Sequence, residues 1–74
     1  MDHVKLKGIV EGLLFASGDE GITIKQLSNI IEVEEATIEY ILEELMFDYE
    51  HDNRGMIILQ SNEVFHLTTK PEHN

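Results

Sequence analysis

The chain has 74 residues, of which 42% are hydrophobic, and a formal net charge of -10 from fifteen acidic and five basic residues. These values predict one small globular domain, and the charge disfavours binding to nucleic acid phosphates or to an anionic membrane surface. The sequence has no cysteine, which excludes a disulfide framework and a thiolate metal site. It also shows no secretory signal and no long apolar run, so we expect a cytoplasmic protein.

The first predicted element is a helix over residues 4–17 that ends at Gly18, a suitable left-handed C-terminal cap. Helical periodicity places seven residues on the face that we predict to be buried: Leu6, Ile9, Val10, Leu13, Leu14, Ala16 and Ser17. The opposite side carries four residues that we predict to contact a second copy or a partner helix: Gly8, Glu11, Gly12 and Phe15. Each of these glycines costs a helix about 1 kcal/mol relative to alanine, which favours a close approach by another backbone. The alternative for Phe15 is packing beneath the hairpin of the same domain.

Residues 21–23 predict a short extended piece, and a second helix capped by Thr23 or a neighbour then runs to about Ile31. Four residues form its predicted buried stripe: Ile24, Leu27, Ile30 and Ile31. A third helix is predicted from about Glu34 to His51. Its predicted core residues are Ile38, Ile41, Leu42, Leu45 and Tyr49, with Met46 at the margin. Two successive helices of this kind are typical of a helix-turn-helix.

The far side of the third helix carries a thinner stripe, made of Ala36, Tyr40, Glu43 and Phe47. We identify Tyr40 and Phe47 as candidate interface residues, with packing on the hairpin as the alternative. A DNA-reading helix needs Arg, Lys, Asn or Gln at base edges. This helix instead carries seven acidic residues and no lysine or arginine: Glu34, Glu35, Glu39, Glu43, Glu44, Asp48 and Glu50. These carboxylates indicate either a surface for other proteins or a merely solvated face, and both interpretations disfavour DNA reading.

Two strands are predicted at residues 56–61 and 64–70, joined by Asn62 and Glu63. Three helices followed by a hairpin predict a winged helix-turn-helix, mainly α with a two-stranded wing (an α+β fold). We expect one domain over residues 1–74, with a linker beginning at Pro71. His66 should share the wetter face of the hairpin with Val64 and Thr68.

No chemistry is predicted for this domain. Its histidines lack the helical spacing of a zinc site: His3, His51, His66 and His73. The adjacent glutamates of the third helix diverge instead of converging on a substrate, and no serine has a histidine placed by a recognisable motif. We therefore expect no catalytic residue, no metal, no cofactor and no small-molecule ligand.

Three segments carry a resemblance to a known family: LLFASG at 13–18, Arg54 with Gly55, and the residues 69–72. Over nearly the whole chain the sequence resembles the N-terminal domain of ScpB, the segregation and condensation protein that accompanies the bacterial SMC complex. The resemblance implies a homodimerising protein-interaction module. Family members carry two such domains, of which the first pairs with itself and the second grips the kleisin ScpA and so reaches SMC at the nucleoid. Ser61, Asn62 and Glu63 depart from the glycines often found at this hairpin tip.

Two other functions are kept as alternatives. One is a winged-helix transcription regulator, whose DNA contacts would have to come from five basic residues: Lys5, Lys7, Lys25, Arg54 and Lys70. The other is an acidic protein that imitates DNA for a basic partner, and its binding should collapse with salt.

Overall fold

The computed structural model describes residues 2–51 and 55–70, which form three helices and a three-stranded antiparallel sheet. In chain order the elements are α1 (His3–Ser17), a 3-10 turn (Gly18–Glu20), β1 (Ile22–Thr23), α2 (Ile24–Ile31), α3 (Glu35–Glu50), β2 (Met56–Ser61) and β3 (Val64–Thr69). The predicted winged-helix fold is confirmed. The predictions at Arg54, at His73 and at the linker from Pro71 onward lie outside the described residues.

The short extended piece before α2 is the third strand of the sheet, which the sequence did not predict. The strand order is β1-β3-β2, and Ile22 of β1 pairs with Phe65 of β3. Gly21 makes this pairing possible, because its φ is +76° and a Cβ there would lie 2.3 Å from Val64 Cγ1. Only glycine allows the chain to pass so close to β3.

The core lies between the three helices and one face of the sheet, and α2 contributes Leu27 to it. Leu6, Val10 and Leu14 of α1 are buried, and all five predicted core residues of α3 are confirmed. The predicted buried faces of α1 and α2 were too wide, since Ile9 and Ile30 are 37% and 57% exposed. Ala16 is also exposed, because α1 packs on α3 and the sheet along a narrow stripe, and the flanks of that stripe remain in solvent.

Local signals account for the ends of the elements. Thr23 caps α2 as predicted: its Oγ1 accepts from the Gln26 backbone N–H at 3.0 Å, and Gln26 Oε1 accepts from the Thr23 N–H at 2.9 Å. Gly18 ends α1 with φ 59° and ψ -143°, which is a glycine conformation but not the predicted left-handed one. At the tip of the wing, Asn62 adopts φ 60° and so takes the place of the missing glycine.

Candidate protein-interaction surface

The six predicted interface residues lie on the sides of α1 and α3 that face away from the core. Phe15, Tyr40 and Phe47 are 55%, 57% and 61% exposed. The hairpin therefore does not bury any of these three rings. The Phe47 ring instead contacts the ring of His51, with the two centroids 4.2 Å apart.

The exposed side of α1 has bare backbone at its centre. A Cβ placed on Gly8 or on Gly12 would meet nothing within 4 Å. Val4, which was not predicted, is 74% exposed and lies on the same side, because positions 4, 8, 11 and 15 share one face of a helix. The periodicity that identified Phe15 could also have identified Val4. We call this surface the α1 face, and its members are Val4, Gly8, Glu11, Gly12 and Phe15.

Glu11 differs from the other members of the α1 face because it is half-buried and already bound. The hydroxyl of Tyr49 donates a hydrogen bond to Glu11 Oε2, and Tyr49 itself is only 2% exposed. The carboxylate of Glu11 is therefore directed toward α3, where it accepts a hydrogen bond from a buried phenol.

Ion pairs join α1 to α3 beside this contact. Lys7 Nζ lies 2.6 Å from Asp48 Oδ2 and 3.8 Å from Glu44 Oε1. His3 Nε2 lies 2.7 Å from Glu44 Oε1, which is an ion pair when the imidazole is protonated. The hydrogen bond from His3 lowers the pKa of Glu44, and the hydrogen bond to Asp48 raises the pKa of Lys7. None of these pairings was predicted, since the partners are about forty residues apart in sequence and no local pattern marks them.

Two shallow grooves follow the boundary between α1 and α3, each with a volume of about 280 Å³. One is lined by Lys7, Tyr40, Glu43, Glu44, Phe47 and Asp48. The other is lined by Val4, Lys7, Gly8, Glu11, Leu45, Asp48 and Tyr49. They share Lys7 and Asp48, but Gly8 and Glu11 line one groove and Tyr40 and Phe47 the other. Gly12 and Phe15 line neither groove.

The outer side of α3 forms a second exposed surface, which we call the α3 face: Ala36, Tyr40, Glu43 and Phe47. All four residues are exposed, as predicted. Within the described ranges Glu39 and Glu43 form no ion pair, whereas Glu44 and Asp48 of the same helix are paired with His3 and Lys7. The structure thus separates the acidic residues of α3 into neutralised and uncompensated ones.

A third groove, of about 500 Å³, lies where α2, α3 and the wing meet. Its charged lining consists of three carboxylates and one ammonium: Glu35, Glu39, Glu63 and Lys25. Such a lining repels a phosphate backbone. In residues 2–51 and 55–70, no three metal-binding side chains cluster, and no helix has the length and apolarity needed to span a membrane.

Comparison with known proteins identifies close relatives. The family model for the segregation and condensation complex subunit ScpB matches residues 8–74. Segregation and condensation protein B of Oceanobacillus iheyensis is 60% identical over 74 residues, which are 100% of this chain and 38% of that protein. The protein of the same name from Brevibacillus brevis is 47% identical over 73 residues, covering 99% of this chain and 38% of its own length. The chain therefore spans 38% of the length of these curated relatives.

A solved structure shares the fold. The crystal structure of a dimer of the ScpB N-terminal domain complexed with an ScpA peptide aligns with a TM-score of 0.86 and 43% sequence identity. The alignment covers 90% of this chain and 83% of that one.

Proposed function

Since the chain belongs to the ScpB family of segregation and condensation complex subunits, we propose that it is a non-catalytic, homodimerising assembly domain of a chromosome segregation and condensation factor. The domain helps to bind the kleisin ScpA and, through ScpA, reaches SMC at the nucleoid in the cytoplasm. The observation that carries this proposal is the likeness to a ScpB N-terminal domain that was crystallised as a dimer with an ScpA peptide. Residues 2–51 and 55–70 form one winged-helix domain, and we propose, from the family resemblance, that Pro71 begins a linker to a second domain.

The α1 face is the surface that we assign to self-pairing. Gly8 and Gly12 expose the helix backbone, so that a second α1 can approach closely, and Phe15 supplies apolar area beside them. Glu11 does not oppose this contact, because its carboxylate is held by Tyr49 of the same chain. Two copies of this face can therefore meet without directing the two carboxylates at each other, and each carboxylate lies in a groove that Lys7 of its own chain also lines.

Charge supports an assembly role over DNA recognition. The helix that a DNA-binding winged helix would place in the groove carries no lysine or arginine, and its exposed face is acidic. Of the five basic residues of the chain, Lys7 is already paired with Asp48 and Glu44. Too few cations are left for the phosphate contacts on which non-specific DNA affinity depends.

Sedimentation of a dilution series tests self-pairing directly. We expect a dimer at micromolar concentration, and we expect Phe15→Arg to be monomeric where the wild type remains dimeric. Ile30→Arg is the matched control, because Ile30 of α2 is 57% exposed and Phe15 is 55% exposed, so both substitutions leave the core intact. A wild-type monomer at every concentration would contradict self-pairing, and a dimeric Phe15→Arg would contradict its assignment to the α1 face.

A further inference from the structure

The α3 face is an exposed helix surface with the spacing of a helix-packing seam, and its two aromatic rings touch only the rings of His3 and His51 among the aromatic side chains of the described residues. Ala36, Tyr40, Glu43 and Phe47 follow one another at intervals of four, three and four residues, the spacing with which one helix packs along another. Both rings are more than half exposed. The groove beside them is lined by Tyr40, Glu43 and Phe47 together with Lys7, Glu44 and Asp48. This surface offers a partner two aromatic side chains and a recess between them.

The charges on the α3 face decide which partner fits. Glu43 lies on the seam between the two rings, and Glu39 lies on its flank; within the described residues neither carboxylate forms an ion pair. Lys7 and Lys25 line the adjoining grooves, but carboxylates outnumber the ammonium in each groove. A purely apolar partner would bury Glu43 without a counter-charge, which is strongly unfavourable. A second copy of α3 would place Glu39 and Glu43 against the same carboxylates. The occupant must therefore bring positive charge to the centre of the seam.

We propose that the α3 face binds a cationic amphipathic helix. This inference rests on the proposed role as an assembly domain and names the chemical class of the segment that the domain recognises. Apolar side chains of the partner cover Tyr40 and Phe47, while its lysines or arginines lie over Glu43 and Glu39. The proposed self-pairing surface on α1 lies beside this one, and the grooves of the two surfaces share Lys7 and Asp48.

The helix geometry sets the register of such a partner. Tyr40 and Phe47 are two turns apart, which corresponds to about 10 Å along the helix axis. Partner side chains at i and i+7 span the same distance, and residues at i+3 and i+4 fall above Glu43. An arginine at these positions can also stack on the exposed rings, which a lysine does less well.

The test uses a synthetic amphipathic peptide of leucine, alanine and lysine, with leucines two turns apart and lysines between them. The control peptide carries glutamate in place of every lysine. Binding is followed by fluorescence anisotropy at low and at high salt. We expect the lysine peptide to bind and the glutamate peptide not to bind, with salt weakening the affinity without abolishing it, because the aromatic contact is insensitive to screening.

Two variants locate the binding surface. Phe47→Ser should weaken binding about tenfold, as loss of a central aromatic anchor does. Glu43→Gln should weaken it about threefold at low salt, and the difference should shrink at high salt. Glu20→Gln is the control, because Glu20 is exposed in the 3-10 turn and its substitution changes the net charge equally.

The measurements distinguish peptide binding at the α3 face from self-pairing at the α1 face. Absence of peptide binding to the wild type would overturn the proposal. Equal losses of peptide affinity for Glu20→Gln and Glu43→Gln would also overturn it, because they would mean that the peptide is attracted by net charge alone. The dilution series is repeated on Phe47→Ser and Glu43→Gln, both of which should keep the solution mass of the wild type. A monomeric Phe47→Ser would place self-pairing on α3 and overturn the assignment. A wild type that is monomeric throughout but binds the peptide at Glu43 would refute self-pairing alone.

Discussion

Replacing the two glycines of the α1 face by alanine should stabilise the isolated domain and weaken its pairing. Gly8 and Gly12 lie inside α1 with open space around them, so an added methyl group meets no atom within 4 Å. Alanine is better than glycine in a helix interior by about 1 kcal/mol, and the double variant should gain about 2 kcal/mol. For a domain of this size that gain corresponds to a rise in melting temperature of roughly 10 °C.

The two effects are separated by protein concentration. In dilute solution, where the domain is monomeric, circular dichroism should show the full gain in melting temperature. At higher concentration the two methyl groups hold the paired helices apart, so sedimentation should show weaker association and the gain in melting temperature should shrink.

The same substitution at another glycine provides the control. Gly18 also has open space around a Cβ, but its φ of +59° is a conformation that side chains rarely adopt. Gly18→Ala should therefore destabilise the dilute domain, by about 1–3 kcal/mol. Destabilisation by Gly8→Ala or Gly12→Ala in dilute protein would refute the conclusion that their backbone is free, and unchanged association would refute their place at the pairing surface.

Two further predictions concern the contact between α1 and α3. Tyr49→Phe should lower the free energy of unfolding by about 1–2 kcal/mol. In a double-mutant cycle with Glu11→Ala, measured by urea unfolding, the loss of the double variant should be smaller than the sum of the two single losses. Additive losses would contradict the hydrogen bond between Tyr49 and Glu11. The pKa of Glu44 is lowered from its ordinary 4.5, so the ionised carboxylate should stabilise the fold above that pH and lose this effect as the pH falls below it. The urea midpoint of the wild type should therefore fall more steeply with acid than the midpoint of Glu44→Gln. Midpoints that fall in parallel for the two proteins would contradict this reasoning.

Helix positions could be predicted closely from the sequence because local signals determine them. The predicted first helix, 4–17, differs from α1 by one residue, and the capping side chain of Thr23 was found from its residue type and place. Burial on the flanks of the helices could not be predicted in the same way. Ile9 and Ile30 have the right periodicity, yet no element among the described residues buries them, and only the tertiary arrangement decides that.

The contacts across elements were beyond sequence reasoning for a related reason. Lys7 and Asp48 are adjacent only because α1 and α3 run side by side, with the contacts moving from His3 and Glu44 at one end to Glu11 and Tyr49 at the other. Composition showed an excess of carboxylates. It could not show which of them are neutralised within the fold.

Glu11 and Glu43 differ in their hydrogen bonding within the domain, and this difference favours different partners for the two exposed faces. Both faces repeat the same spacing, with a glutamate four residues before a phenylalanine: Glu11 before Phe15 and Glu43 before Phe47. Glu11 accepts a hydrogen bond from Tyr49, which leaves its charge in place but directs the carboxylate toward α3 and away from a symmetric contact. Glu43 has no such hydrogen bond within the described residues, so pairing α3 with itself would set two carboxylates against each other, whereas a cationic helix would satisfy both the charge and the exposed rings. We therefore propose that the internal hydrogen bond of Glu11 distinguishes the proposed self-pairing surface from the proposed partner-binding surface.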